Sequence, residues 1–316
     1  MSHRVIRLAV LASVTICSSL ISSRSFAQPD ESADSRRQLS ELFDIFLENA
    51  KSYRNYQVRV ERNSVLKAEN HPIVKDCNKY MIWMDWEAQR CIVIHDRKKT
   101  DEENNKLIRR DFVVEKFSEG VRSTRGFRLP HLPRVENVDF NSFLYRAEVP
   151  RIEFIAFTGY PSSSIPFPFE DYVNAAKVNA KGYLRRLPDG TLVRVVGNAQ
   201  QTQMITHFSP EHNLPTYRGT TPVASNSGSQ ESEPTSFSKN TYEKHNEVYR
   251  LKEVLFKEAQ SLDSYSIKPL EKPSNRFLDG SGTMQFLWKQ FNESSLVFPT
   301  DEKLSNDINE WETLLE

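Results

Sequence analysis

Leu39, Leu42, Phe43, Phe46 and Leu47 recur at i, i+3, i+4, i+7 and i+8. That spacing places five apolar side chains on one stripe of a 3.6-residue period and predicts an amphipathic helix. Asp34 or Ser35 is placed to cap its start, where backbone N–H groups need an acceptor. Glu41, Asp44 and Glu48 form its wet face. The period then changes. Tyr56, Val58 and Val60 alternate with Gln57, Arg59 and Glu61, the pattern of a strand with one solvated face. Tyr80–Met84 and Cys91–Ile94 are further β-rich runs. Lys98–Asn105 reads as a charged loop. Leu107–Phe117 resumes as strand, and Ser118-Glu119-Gly120 as a turn before Val121. The first half is thus a helix followed by an antiparallel meander.

The second half is more broken. Phe127–Arg134 is interrupted by proline, and Arg151–Phe157 is short and apolar. Pro161, Pro166 and Pro168 predict a rigid irregular segment. Phe169–Val178 reads as a short helix. Tyr183–Leu187 and Thr191–Val196 flank Pro188-Asp189-Gly190, a hairpin signal because glycine tolerates positive φ. Gln203–Phe208 is a strand candidate and Ser209–Asn213 a polar turn. Thr220–Asn240 is rich in Ser, Thr, Asn and Gly and predicts a mobile, disordered surface loop. Val248–Phe256 fits a helix or a strand. Asp279-Gly280-Ser281-Gly282 reads as a turn leading into a Thr283–Phe291 strand. Ile308, Trp311 and Leu315 suggest a terminal helix.

The N-terminus has its own pattern. Arg4 and Arg7 precede the apolar run Leu8–Ile21, and small residues, Ser25 and Ala27, stand near its end. This is the layout of a secretory signal peptide over residues 1–27, with a mature chain starting near Gln28. The apolar run is too short to span a bilayer. Ile16, not a small residue, precedes Cys17, which argues against lipidation there. The expected compartment is the periplasm or the medium, with no transmembrane segment in the mature chain. Residues 28–316 are then long enough for one large domain or two small ones, and a single domain is expected.

Composition narrows the partners. Lysine plus arginine number 42 and aspartate plus glutamate 42. Loss of Arg4, Arg7 and Arg24 with the leader tips the remainder slightly acidic. That balance argues against nucleic acid. Cys77 and Cys91 remain in the mature chain. If Tyr80–Asp96 is one extended strand they lie far apart, and if the chain turns near Ala88 then Cys91 faces Met84; both readings argue against a bridge. His207 and His212 flank a turn with Glu211, but two histidines five apart do not define a metal site, and surface-loop polarity explains them. No zinc-protease, nucleophile-elbow or phosphate-loop pattern occurs. No catalytic residue, metal or cofactor is expected.

An amphipathic helix, a run of antiparallel strands, a second helix and more strands: this order resembles the periplasmic lipoprotein-carrier (LolA/RseB-like) half-barrel superfamily. Tyr53–Leu66 follows the helix directly, as that family's first strand does. Met204–Ser209, the polar turn with Pro210, and Leu214-Pro215 are similar to a strand, turn and strand of the family. The Trp288 strand ending at Phe298-Pro299 is similar to the closing strand of secreted relatives. The resemblance implies an α+β fold, a curved antiparallel sheet with the N-terminal helix and a few short helices on one face. It also implies a non-enzymatic carrier or sensor for a lipid, lipoprotein or other apolar ligand, with an envelope protein as possible partner. Phe43, Phe46, Trp83, Trp86 and Trp288 are the candidates for lining a groove. The rival expectation is a secreted scaffold that binds protein and encloses a packed core.

Overall fold

The computed structural model describes residues 33–67, 73–126, 134–159, 168–178, 182–197, 203–221, 236–261, 277–293, 295–304 and 308–316. The expected signal peptide, the Phe127–Pro133 stretch and most of the predicted loop lie outside them. Helix α1 (Ala33–Ala50) runs through a 3-10 turn (Lys51–Tyr53) into a meander. Its strands are β1 (Asn55–Lys67), β2 (Val74–Asp85), β3 (Arg90–Asp101), β4 (Leu107–Ser118), β5 (Val121–Gly126) and β6 (Arg134–Asn137). Helices α2 (Phe140–Arg146), α3 (Ile152–Thr158) and α4 (Phe169–Val178) follow. A second meander comprises β7 (Tyr183–Arg186), β8 (Leu192–Val196), β9 (Gln203–Phe208), β10 (Pro215–Thr221), β11 (Ser236–His245), β12 (Val248–Ser261) and β13 (Phe277–Phe291). Helix α5 (Ile308–Leu315) ends the chain.

Among the described residues thirteen strands form one antiparallel sheet in the order β6-β5-β4-β3-β2-β1-β13-β12-β11-β10-β9-β8-β7. Each meander is local, and the two are joined where β1 pairs with β13, from Tyr56↔Phe291 to Lys67↔Asp279. The first meander grows outward from β1 and the second grows inward to β13. The sheet is curved and open, not closed into a barrel, and the fold is α+β. One face carries α1 and the buried α3; we call it concave. The other carries α5.

Strand parity decides what each face receives. Tyr56, Val58, Val60, Tyr80, Ile82, Met84, Cys91 and Val93 join the concave core. Met81, Trp83, Ile92, Ile94, Phe112 and Val114 form a second cluster with Leu304, Trp311 and Leu315 under α5. The unbroken apolar runs of β2 and β3 follow from this, since both faces are covered there. Phe112 meets Trp311 edge to face at 5.5 Å, and Arg110 bridges Asp96 and Glu312 at 3.0 and 2.7 Å.

Several expectations need correction. The first helix begins at Ala33, so Asp34 and Ser35 lie inside its first turn and do not precede it. Lys98–Asp101 belongs to β3, which leaves a shorter turn before β4. Val248–Phe256 is strand. The Asp279–Gly282 segment is not a turn but part of β13. A Cβ at Gly282 would collide with the Asn63 carbonyl, so glycine serves close approach of β1 here. The polar segment Thr220–Asn240 is narrower than its composition suggests. β10 runs to Thr221 and β11 starts at Ser236, with Ser238 and Asn240 buried. Cys91 faces Met84 across the β2–β3 hairpin, and Cys77 and Cys91 are free thiols.

The α1 stripe lies on the concave face. Leu39, Leu42, Phe43 and Phe46 are buried, and Leu47 packs against the same core. Phe46 contacts the rings of Phe43, Phe157 and Phe208 at 5.9, 5.6 and 6.0 Å. Replacing Phe46 with Ala should cost about 3–5 kcal/mol of stability. A Glu48→Ala control on the wet face should stay within about 0.5 kcal/mol. Urea midpoints of the two variants measure the contrast, and a neutral Phe46→Ala would remove α1 from the core.

Candidate functional site

Helix α3 is apolar apart from Glu153 and Thr158, and every side chain from Ile152 to Phe157 is buried. A buried helix end leaves its last carbonyls without water, so other donors must serve them. Side chains of β10 and β11 do so. Asn240 Nδ2 donates to the Ile155 carbonyl at 3.2 Å. The Tyr242 hydroxyl lies 2.7 Å from the Ala156 carbonyl and 3.0 Å from that of Pro215. Arg218 Nη1 donates to the Thr158 carbonyl at 3.0 Å, and Ser238 Oγ to that of Gly159. Gly159 itself takes φ +68°, the left-handed turn that ends many helices. At the other end, Arg151 Nε is 2.5 Å from Glu153 Oε1, and the pair is buried. The Arg151 guanidinium lies over Trp86 and Phe154, each at 5.0 Å.

Tyr53 ties this helix to its surroundings. Its hydroxyl donates to the Tyr249 carbonyl at 3.0 Å and accepts from Leu251 N at 3.1 Å. Its ring meets Phe157, Trp288 and Phe291 edge to face, between 5.2 and 5.9 Å. Burial pushes its phenol well above the usual range, so it stays neutral.

Two cavities flank α3. The smaller, about 50 Å³, lies between α1, α4 and β8–β10 and is lined by Phe43, Phe46, Phe157, Phe169 and Phe208, with Arg194, Thr206 and Arg218 on the sheet side. The larger, about 240 Å³, opens beside Tyr53, Trp86, Arg151 and Glu153. Phe169, the first residue of α4, lines both. Its ring packs on Phe154 and Phe157 at 5.1 and 5.3 Å.

The five groove candidates separate accordingly. Phe43 and Phe46 border the smaller cavity and Trp86 the larger. Trp288 is on the same face, in the Tyr53 cluster, with its indole N–H on the Leu251 carbonyl at 2.7 Å. Trp83 is on the opposite face under α5. It follows Ile82 in an unbroken apolar run, and successive strand residues point to opposite faces. Sequence reasoning missed Arg194, Arg218, Ser238, Asn240 and Tyr242. In β8 the alternation misleads, because Val193 and Val195 are buried on the face opposite Arg194.

The far end of the concave face is polar. Arg97 holds Asp76 through Nε and Nη2 at 3.3 and 3.1 Å. Arg122 bridges Glu115 and Glu136, each at 2.7 Å. A cavity of about 320 Å³ opens among Arg97, Arg109, Asp111, Glu115, Arg122 and Arg146. Lys99 is buried, which pushes its amine down to about 8. His95 stacks on Tyr80 at 4.2 Å and faces Asn78 Oδ1 at 3.3 Å. Burial first, then Arg97, push it down to about 4, against the pull of Asp111, Asp96 and Asp76. His207 meets Tyr217 edge to face, and His212 packs tilted against Tyr249. Among the described residues no three His, Cys, Asp or Glu side chains are grouped as metal ligands.

The chain matches no protein-family profile and no curated protein sequence. Solved structures do resemble it. A DUF1329-family protein of Desulfovibrio piger is 8% identical over 85% of this chain and 97% of its own, with a TM-score of 0.36. A LolA superfamily protein of Nitrosomonas europaea is 8% identical over 83% and 97%, with a TM-score of 0.33. A domain assigned to outer-membrane lipoprotein sorting, from Vibrio parahaemolyticus, is 11% identical over 88% and 100%, with a TM-score of 0.32. The half-barrel description rests on this chain's own strand order and pairing. Among the described residues no helix is long and apolar enough to cross a membrane.

Two expectations follow. Tyr242→Phe should cost about 1–3 kcal/mol, because it removes the one hydroxyl proton placed to serve the buried Ala156 carbonyl; chemical denaturation reads this directly. His95 takes a proton at 6.5 when unfolded and near 4 when folded. The unfolded state therefore binds the proton first as pH falls. Stability contributed by neutral His95 is present above pH 6.5 and is lost toward pH 4, by about 3 kcal/mol. His95→Gln should flatten that window relative to the parent, with the carboxylates common to both.

Proposed function

We propose that this chain is an exported, non-catalytic carrier or sensor that receives an apolar chain on its concave face, beside α3. The observation that carries this reading is Phe169. One ring at the start of α4 borders both the small aromatic cavity and the larger cleft at Trp86. Turning it aside would join the two into a passage walled by Phe46, Phe157 and Tyr53. Burying acyl surface there is favourable by roughly 25 cal/mol per Å². The small cavity alone is too narrow for an acyl chain, so α1 and α4 must give way on binding. These helices are joined at the rim by the exposed ion pair of Lys177 and Asp44, at 2.5 Å. Such a pair contributes little and does not hinder opening. A lipid or lipidated protein is also the ligand class implied by the resemblance of the element order to lipoprotein carriers. Phe43, Phe46 and Trp86 are the proposed contacts, with Trp288 behind them.

Native mass spectrometry of protein purified gently from the periplasm or medium should show co-purifying lipid. A fluorescent fatty acid should bind and be displaced by unlabelled acyl chains. Phe169→Ala should change the affinity for that probe, because it removes the wall between the cavities. A protein that carries no lipid and binds no acyl probe would sink the carrier reading. Capture of an envelope protein by such a lipid-free chain would point to the scaffold, with the edge strand β6 and its exposed Val135 as the first surface to test.

A further inference from the structure

The register of β8, β9 and β10 sets Arg194, Thr206 and Arg218 in one cross-strand row, since Thr206 pairs with Arg194 on one side and Arg218 on the other. Neighbouring strands are about 4.8 Å apart, so the two arginine backbones stand roughly 10 Å from each other. Both side chains line the aromatic cavity under α1 and α4. The Arg194 guanidinium lies 5.4 Å from the Phe43 ring centroid. Arg218 donates to the Thr158 carbonyl and approaches Met204 Sδ, each at 3.0 Å. Arg218 caps α3, and Arg194, two strands away, sets a second guanidinium on the same cavity wall.

Two guanidinium groups in an apolar cavity disfavour each other. Burial lowers the proton affinity of Arg194, nearby Tyr172 acts the other way, and the Arg218 charge lowers it again. Arginine nonetheless stays charged. An oxyanion between the two forks would offset the repulsion and accept several charge-assisted hydrogen bonds, with the Thr206 hydroxyl beneath it. Phe46, Phe157 and Phe169 on the other walls, beside the hydroxyl-bearing Thr158 and Tyr172, suit a hydrocarbon tail. We infer that the cavity selects an anionic single-chain amphiphile, whose carboxylate or phosphate head sits between Arg194 and Arg218 and whose tail runs toward Phe169. This rests on the carrier reading and adds the chemistry of the head group.

The test compares heads on one tail. The purified chain is titrated with a fluorescent long-chain fatty acid, its methyl ester, a lysophosphatidic acid and a monoacylglycerol. The acid should bind about tenfold or more tightly than the ester. The phosphate head should likewise exceed the neutral glycerol head, and the tighter of the two anions identifies the source. Arg194→Met should erase the preference while keeping affinity for the ester. If acid and ester bind equally well to the parent chain, the head-group inference fails and the carrier reading stands. If no amphiphile binds, both fail. A preference that survives in Arg194→Met also overturns the inference, because charge selection then lies elsewhere. Circular dichroism melting checks that the variant folds. If it does not, the acid-to-ester ratio of the parent chain decides the matter alone.

Discussion

A helix can be buried in the hollow of a sheet only if its unpaired carbonyls find donors there. The rest of this structure depends on that condition at the C-terminus of α3. Arg218, Ser238, Asn240 and Tyr242 reach across from two neighbouring strands to the carbonyls of residues 155, 156, 158 and 159. Without them several of these carbonyls would lose a donor at once, each at about 1–3 kcal/mol, while that of Ile155 would keep its bond from Gly159 N at 3.0 Å. With them, α3 becomes a plug on which α1, α4 and the 3-10 turn pack through rings. The polar side chains on the inner face of β10 and β11 are therefore part of the core.

The plug also shapes the space around it. A seven-residue helix does not fill a thirteen-stranded hollow. Cavities remain on both sides, and Phe169 stands at their meeting point. Toward β2–β5 the apolar lining gives way to ion pairs, where Asp76, Arg97, Glu115 and Arg122 replace side chains that no helix would cover. The concave face is thus graded, from aromatic beneath α1 to ionic at the far strand ends. The opposite face carries α5, which explains how the central strands can be apolar on both sides without exposing that surface. A ligand site between α1 and the sheet is consistent with this division, because the convex face is already covered near β2 and β3.

Much of this layout was legible in the chain. The 3.6-residue stripe from Leu39 to Leu47 fixed α1 and its buried face, because a helix has one geometry and five apolar residues on one side must be covered. The period-two alternation of β1, the Asp189-Gly190 hairpin and the turn at Glu119-Gly120 set the meanders, since such pairings are local. Cys91 facing Met84 followed from a tight turn near Ala88 alone. Other features did not follow. Asp279–Gly282 has turn composition, yet its glycine is there because β1 passes too close for a Cβ. Ser238 and Asn240 look like loop polarity, yet they are donors to a buried helix. Trp83 was grouped with Phe43 and Phe46 as an aromatic, but an unbroken apolar run does not say which face each residue takes.

The sequence by itself thus determined the local periods, the short-range turns and the antiparallel order within each half. These depend on residues near one another in the chain and on backbone geometry common to all proteins. The tertiary structure alone decided that β1 pairs with β13, which residues of a doubly buried strand face which side, and that Arg194 and Arg218 share a wall with Phe43. Those relations join positions more than 150 residues apart along the chain in the case of Arg194 and Phe43. No local pattern encodes them, because burial and pairing at such distances are properties of the assembled sheet.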